Sequence, residues 1–386
     1  MSKELKTLDN GLSSWDDFPV HQTAEPIRNV ATSDRNFYDR YYFNLHGSSD
    51  ELFMVMGLGQ YPNLGVQDAF AVVGRKGTHR VVRASRTLGD RMDMSVGPFR
   101  IEIIKPLEEL RFILEDNEHG LACDLRWRGA IQAFLEPRQF VRKHGRVLFD
   151  TERFAQTGFW EGTLQFGDET IAITPDRWKG TRDRSWGVRP IGEPEAPGIR
   201  GSEGQLTGIW NYYPMQFDDY TILYMLNEQE DGVRTIEEAT KIWNDPSRPP
   251  EWLGRPEYEH TMKSGTRMVE HSVIRFVAED GKVTEIQCEP LTCCYIAVGT
   301  GYGMEEDWRH GMYQGDLVVQ GLVQSEEEIA PIGQYAIVDH AARFTTADGE
   351  VGYVVVDAAA THDSKSILEE MRTLPGTIRA RILYER

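Results

Sequence analysis

The segment VIRFVAEDGKVTEIQCE, Val273 to Glu289, alternates apolar and polar residues on both sides of Asp280-Gly281. An Asp-Gly pair between two alternating runs is a strong short-range signal for a β-hairpin. The same design recurs at Lys76-Gly77 in VVGRKGTHRVVRAS, at Gly167-Asp168 in GTLQFGDETIAIT and at Asp348-Gly349 in ARFTTADGEVGYVVVDA. A period of two puts successive side chains on opposite faces of a strand, which a helix cannot accommodate. Glycine is frequent (36 residues) and aromatics reach 10 %, in keeping with strands joined by tight turns. Helical periodicity is scarce; the best helix candidate is THDSKSILEEMRTL from Thr361, with Thr or Asp as cap. The chain therefore reads as mainly β.

At 386 residues it is long enough for two ordinary domains or one large one. RPIGEPEAPGIRGSEGQLTG, Arg189 to Gly208, is rich in Pro and Gly and divides the chain nearly in half. A second Pro-rich stretch, Asn244 to Tyr258, reads as a loop in the latter half. RYYFNLHGSSDELFMVMGL (Arg40 to Leu58) and NYYPMQFDDYTILYMLN (Asn211 to Asn227) share a Tyr pair, an Asp-containing turn and a Met-rich apolar strand. Two diverged domains of similar plan explain this. Because open sheets leave edges that invite aggregation, each half is expected to curl into a barrel. The expected architecture is two β-barrel domains packed side by side, residues 1–190 and 191–386.

A net charge of −19 repels nucleic acid and anionic membranes, so neither is an expected partner. The N-terminus has no apolar stretch fit for a signal peptide, and no run approaches the ~20 apolar residues of a membrane span. A cytoplasmic location is expected. Cys123, Cys288, Cys293 and Cys294 show no CxxC spacing and read as buried free thiols. The ten histidines lack metal-type pairing, so no metal is expected. Gly299, Gly301 and Gly303 follow a strand like a dinucleotide fingerprint, but no apolar helical stripe follows them, and they read as turn glycines. His46, His310 and His340 lie near strand ends and close in sequence to Asp50, Asp307 and Asp339, a pattern that suits proton shuttles.

The densest charged stretch is GTRDRSWGVRP, Gly180 to Pro190. As a strand it puts Arg182, Arg184 and Trp186 on one face and Thr181, Asp183 and Ser185 on the other. A guanidinium stacked on Trp186 would make a cation–π contact. Asp183 has Arg177, Arg182, Arg184 and Arg189 close in sequence, and pairing with any of them would lower its pKa. An ionised Asp183 suits an anchor better than a general acid.

DRSWG resembles the Asp-His-x-Trp-Gly motif of the hydroxyneurosporene synthase (carotenoid 1,2-hydratase) family and its AttH-like relatives. WNYYPMQFDD, from Trp210, resembles the Trp-Asp-Trp-Phe-x-x-Gln-x-x-Asp that follows it there. DWRHGMYQG and DGEVGYVVVD are also similar, and GLGQYPNLGVQDAF looks like an uncharacterised bacterial subgroup. The resemblance implies two lipocalin-like (calycin-type) barrels and, in characterised members, a cofactor-independent hydratase of isoprenoid double bonds. Asp183, Trp186, Gly187, Trp210, Asn211, Tyr213 and Gln216 match the motifs, whereas Arg184 stands where the hydratases carry a catalytic histidine. Arginine cannot release a proton in a protein. The expected catalytic residues are Asp183, Tyr213 and His310, with Trp186, Arg184, Trp210, Asn211, Tyr212 and Gln216 contacting the ligand. The expected function is binding and cofactor-free transformation of a hydrophobic isoprenoid, steroid or polyketide-like molecule by a hydratase/lyase or isomerase. A non-catalytic carrier, or a brace between two barrels, remain alternatives.

Overall fold

A computed structural model describes residues 11–143, 145–191, 208–229, 232–302 and 305–361. The helix expected from Thr361 and most of the Pro-rich Arg189–Gly208 segment lie outside them. In the first half, β1 (Phe37–His46), β2 (Phe53–Tyr61), β3 (Val66–Arg75) and β4 (Thr78–Thr87) form a meander. A second run, β5 (Phe99–Lys105), β6 (Glu109–Leu114), β7 (Leu121–Gly129), β8 (Arg146–Phe166) and β9 (Lys179–Val188), joins it where β9 pairs with β1. The second half begins with β10 (Gly208–Gln216), β11 (Tyr220–Glu228), β12 (Arg234–Trp243), β13 (Arg255–Met262) and β14 (Val269–Val277). It ends with β15 (Val283–Cys294), β16 (Leu317–Ser325), helix α1 (Glu326–Gly333), β17 (Asp339–Thr346) and β18 (Val351–Thr361). Among the described residues no helix is long and apolar enough to cross a membrane.

All four expected hairpin turns are present, at Lys76-Gly77, Gly167-Asp168, Asp280-Gly281 and Asp348-Gly349. Between β3 and β4 both turn residues have positive φ, 49° at Lys76 and 73° at Gly77, the two-residue turn whose twist matches its strands. The Pro-rich loop from Asn244 is shorter than expected: Glu251–Trp252 pairs with β12 and β13 starts at Arg255. Trp243 stacks under Arg248 and Lys241 beside it.

The strands make two sheets, ordered β16-β4-β3-β2-β1-β9-β8-β7-β6-β5 and β12-β11-β10-β18-β17-β15-β14-β13, with short strands added to each. Both halves follow one plan. The first strand of each, β1 or β10, lies between the second strand and the last, β9 or β18. The two hairpins that resemble each other in sequence therefore occupy equivalent places.

The first sheet curls until its ends are tied by hydrogen bonds from Arg86 Nε (2.6 Å) and Gln67 Nε2 (3.3 Å) to the Ser95 carbonyl. Its inner face buries Phe43, Phe112, Trp127, Trp160 and Trp178. The second sheet encloses Tyr213, Tyr224, Ile274, Phe276 and Phe344. Its ends are tied where Arg234 Nη1 donates to the Pro256 carbonyl (2.7 Å). The architecture is two calycin-like β barrels, the first nearly closed and the second a half-barrel.

The halves exchange material. β16, from the second half, pairs along its length with β4, from Leu317 opposite Arg86 to Ser325 opposite Thr78. Its Val319 packs onto the first core. Cys294 Sγ donates to the Phe53 carbonyl and accepts from Gly74 N–H, both at 3.1 Å. Cys123, Cys288 and Cys294 are buried free thiols, and Cys293 is half-buried. A Cβ on Gly321, in the middle of β16, would lie 2.3 Å from His119 Cγ. Gly321→Val is therefore expected to lower stability by about 1–3 kcal/mol, the usual cost of overpacking. Urea denaturation checks this, and an unchanged midpoint would mean that β16 is not held against the His119 turn.

Candidate functional site

The register of β9 against β1 and β8 builds the site in rows. Tyr42, Asp183 and Ala155 stand side by side on the outward face of the first barrel. One row along are Arg40, Ser185 and Arg153, and Thr181 and Thr157 follow on the other side. Asp183 thus has an arginine diagonally placed on each neighbouring strand. Gly187 has φ 124°, and a Cβ there would lie 2.1 Å from the Asp150 carbonyl oxygen, so only glycine fits where β9 bends past β8.

This outward face is where the second half lands. On one flank Phe53, Val55, Phe70, Val72 and Val81 pack with Cys294, Ile296 and Ala341. On the other, Ala155 packs with Tyr212, Leu223 and Met225. Thr157 and Thr221 share a hydroxyl hydrogen bond of 2.5 Å across the junction. The polar residues of β1 and β9 lie between the two apolar flanks. Tyr42, Arg153, Asp183 and Tyr302 are half-buried at this junction.

The electrostatics centre on Asp183. Among the described residues no hydrogen bond reaches its carboxyl. Burial raises its pKa above the ordinary aspartate value, against the opposing pull of Arg153, Arg189 and Arg40. The expectation that neighbouring arginines would depress it is therefore corrected: none is close enough to bond, and desolvation outweighs their field. Glu136 is raised for the same reason, although Arg153 Nε donates to it at 2.5 Å. The Tyr42 hydroxyl, pushed up by burial and by Asp339, donates to Asp339.

His310 joins this network through Arg40, whose Nη2 donates to Nε2 of His310 at 3.1 Å. That leaves Nδ1 to carry the proton, which it donates to Asp68 Oδ2 at 3.2 Å. Asp68 also accepts from Gly311 N–H (3.0 Å). The expected partner Asp307 is not the one used; Asp68, on β3, is. Burial, then Arg40, lowers the His310 pKa to about 4, so its ring is neutral near pH 7. Tyr302 caps the group, with its ring edge-on to His310 (4.6 Å) and under Arg40 (4.8 Å).

The structure divides the expected site residues among three environments. Asp183, Tyr212 and His310 belong to the polar network at the junction, and Trp210 stacks on Tyr212 at 6.4 Å. Arg153 lies over the Tyr212 ring at 4.3 Å. Gln216 is fully buried farther along the outward side of β10, opposite Thr221. Tyr213 and Asn211 point instead into the second barrel. There Tyr213 stacks on His260 (6.3 Å), and Asn211 joins Tyr224 (3.0 Å) to His260 (3.0 Å). Arg184 and Trp186 point into the first barrel, opposite to Asp183. Arg184 pairs with Asp39 and lies 4.4 Å over Tyr41, and Arg182 lies 5.4 Å over Phe154. Neither arginine uses Trp186, the expected stacking partner; its ring neighbour is Phe154.

Of the other two histidines singled out, His46 is buried with its pKa lowered to about 3 by burial, and His340 is buried on β17. Arg40, Tyr42, Arg153, Asp68 and Tyr302 were not anticipated, and Asp339, singled out beside His340, is paired with Tyr42. A charged or hydroxylated residue at alternate positions of an apolar strand, as in RYYFNLH, was the available signal for the first two. Among the described residues no group of His, Cys, Asp and Glu is arranged to hold a metal ion.

No curated protein matches this chain. A protein of Nitrosomonas europaea described as a candidate AttH superposes with a TM-score of 0.51 at 12% identity, over 89% of this chain and 98% of that one. Kievitone hydratase from Nectria haematococca gives 0.47 at 12% identity, over 83% and 89%. CghA, solved with Sch210972, gives 0.47 at 9%, over 84% and 89%. At such identities the first likeness is one of fold, and the two weaker ones bear no further weight. The profile of a family of unknown function (DUF8625) matches residues 12–364, and the chain belongs to that family.

Proposed function

We propose that the junction between the barrels binds a hydrophobic small molecule and that Asp183 moves a proton to or from it, in a hydration, elimination or isomerisation. The observation that carries this reading is a half-buried carboxyl at the junction of the two sheets that has no hydrogen-bond partner among the described residues and is shifted toward its protonated form. A carboxyl shifted in that direction gives up its proton less readily than an ordinary aspartate, and its carboxylate is the matching base.

The surrounding charges narrow the chemistry. Arg40, Arg153 and Arg189 disfavour a free carbocation and favour an intermediate that gathers negative charge on oxygen. The matching substrate is an alkene conjugated to a carbonyl on an apolar body, with Tyr302, Tyr212 and Trp210 as walls. Water adds its oxygen to the β carbon, and the guanidiniums hold the enolate oxygen. Asp183 gives its proton to the α carbon, and its carboxylate takes the proton lost by the water. Atoms and charge balance with no cofactor, and the reverse sequence is an elimination. The motif resemblance to the hydroxyneurosporene synthase family supports this class of reaction. The arginine at 184 does not weigh against it, because that side chain lies on the other face of β9.

The test is turnover of a panel of lipophilic enones and unconjugated alkenes, with products identified by mass spectrometry. Asp183→Asn is expected to slow enone hydration by about 100-fold or more, the usual range for a general acid–base. Equal rates in both proteins would remove Asp183 from the mechanism. An enone bound but recovered unchanged from both would make the protein a carrier.

The same residue predicts a stability difference. A carboxyl whose pKa is higher folded than unfolded stabilises the fold below its unfolded value of about 3.9 and loses that contribution as pH rises through the folded value. Asp183→Asn, which mimics the protonated form, is therefore expected to exceed the native protein in stability at pH 7 and to match it near pH 3. Thermal denaturation at the two pH values measures it, and a destabilised variant at pH 7 would contradict the raised pKa.

His310 gives the opposite sign. Its pKa falls from about 6.5 unfolded to about 4 folded, so its contribution to stability is lost as pH drops through that window. His310→Gln, which retains an acceptor and a donor, is expected to lose less stability between pH 6.5 and 4 than the native protein, by an amount on the order of 3 kcal/mol. Identical acid profiles would mean that His310 is not enclosed as described.

A further inference from the structure

The inner face of β9 holds a charged group that the junction does not use. Arg182 is 5% exposed, and among the described residues no carboxylate pairs with it. Its Nε donates to Gln156 Oε1 at 2.8 Å, while Nη2 has no partner. Arg184 beside it and Arg91 both bond to Asp39, so that carboxylate is already shared. Glu152 stands on the same inner face, opposite Trp186 and beyond Arg184, and makes no ion pair with Arg182. Burial alone lowers the Arg182 pKa to about 10, with Tyr41 opposing, so the guanidinium is still charged near pH 7. A buried cation with no counter-ion is strongly unfavourable, and removal of one partner of a buried pair has the same effect.

Apolar side chains near Arg182 are left in water. Ile103, paired with the buried Leu110, and Leu135, paired with Phe154, stand on the inner face by register. They nevertheless remain 45% and 55% exposed. The turn over this end carries Leu107 at φ 64°, a left-handed conformation that branched side chains rarely adopt. The turn is latched by Gln156, whose Nε2 donates to the carbonyls of Leu107 (3.0 Å) and Ile131 (2.5 Å). The amide that positions Arg182 therefore also holds down the two segments closing the barrel end. Strained turns of this kind cluster at ligand clamps.

We propose that the end of the first barrel under the Leu107 turn is a second ligand site, on the opposite face of β9 from Asp183, which takes an amphiphilic carboxylate with its head on Arg182 and its apolar chain against Leu135, Ile103 and Phe154. The carboxylate supplies the missing counter-ion bidentately, as guanidinium geometry favours. The chain covers apolar surface that the protein leaves in water. On a protein of net charge −19, general electrostatics would repel such an anion, so its binding requires a local site.

Isothermal titration with dodecanoate, below its micelle concentration, tests the proposal. One saturable equivalent is expected, with dodecanol binding at least tenfold more weakly. Arg182→Met, which keeps the length of the side chain and removes the charge, is expected to fold and to lose dodecanoate affinity at least tenfold. Asp183→Asn, on the opposite face, is expected to bind dodecanoate as the native protein does. The proposal is overturned if dodecanoate does not bind, if dodecanol binds equally well, or if Arg182→Met retains the affinity. Loss in Asp183→Asn with retention in Arg182→Met would place the anion at the junction and also overturn it. Should Arg182→Met fail to fold, the dodecanoate–dodecanol comparison on the native protein decides.

Discussion

Removing the Asp183 carboxyl from water costs more than the fields of Arg40, Arg153 and Arg189 return, and the proposed proton transfer depends on that imbalance. Guanidiniums that act only through space lower a carboxyl pKa modestly, whereas loss of hydration without a replacement hydrogen bond raises it strongly. The nearby arginines spend their donors elsewhere: Arg40 on His310, and Arg153 on Glu136 and the Met225 sulfur. Under the proposed reading, that leaves Asp183 as the group to exchange a proton with the substrate. A direct Arg–Asp bond here would have made a brace, with no acid.

Strand alternation accounts for the division of labour around it. Consecutive residues of β9 face the junction and the barrel interior in turn, so Asp183 and its neighbours Arg182 and Arg184 sit in different solvents. β10 repeats the arrangement, with Tyr212 toward the junction and Tyr213 in the second core. A motif that reads as one cluster along the chain is thus two or three sites in space. It also means that a histidine at position 184 would not share a face with Asp183 in this fold.

The β class, the four hairpin turns and the equivalence of the two opening hairpins were legible because each rests on local alternation and turn chemistry. The placement of β16 on β4 was not, since nothing in LVVQGLVQS states which sheet edge it joins. Asp183 and His310 were legible as titratable groups in unusual settings. The long-range pairs around them were not: Asp68 lies 242 residues from its partner His310, and Asp339 lies 297 from its partner Tyr42. The direction of the Asp183 shift was misjudged for a related reason. Sequence proximity shows which charges are near, but the balance between field and desolvation depends on burial, which only the packing of the second half creates.

The account turns on the protonation of one carboxyl. Carbon-13 NMR of aspartate-labelled protein, with the Asp183 signal assigned by its absence in Asp183→Asn, would follow its titration directly. A midpoint clearly above the ordinary aspartate value of about 3.9 is the predicted result. A midpoint at or below that value would contradict the account, because Asp183 would then be a fixed anion held by its arginines and unable to deliver a proton.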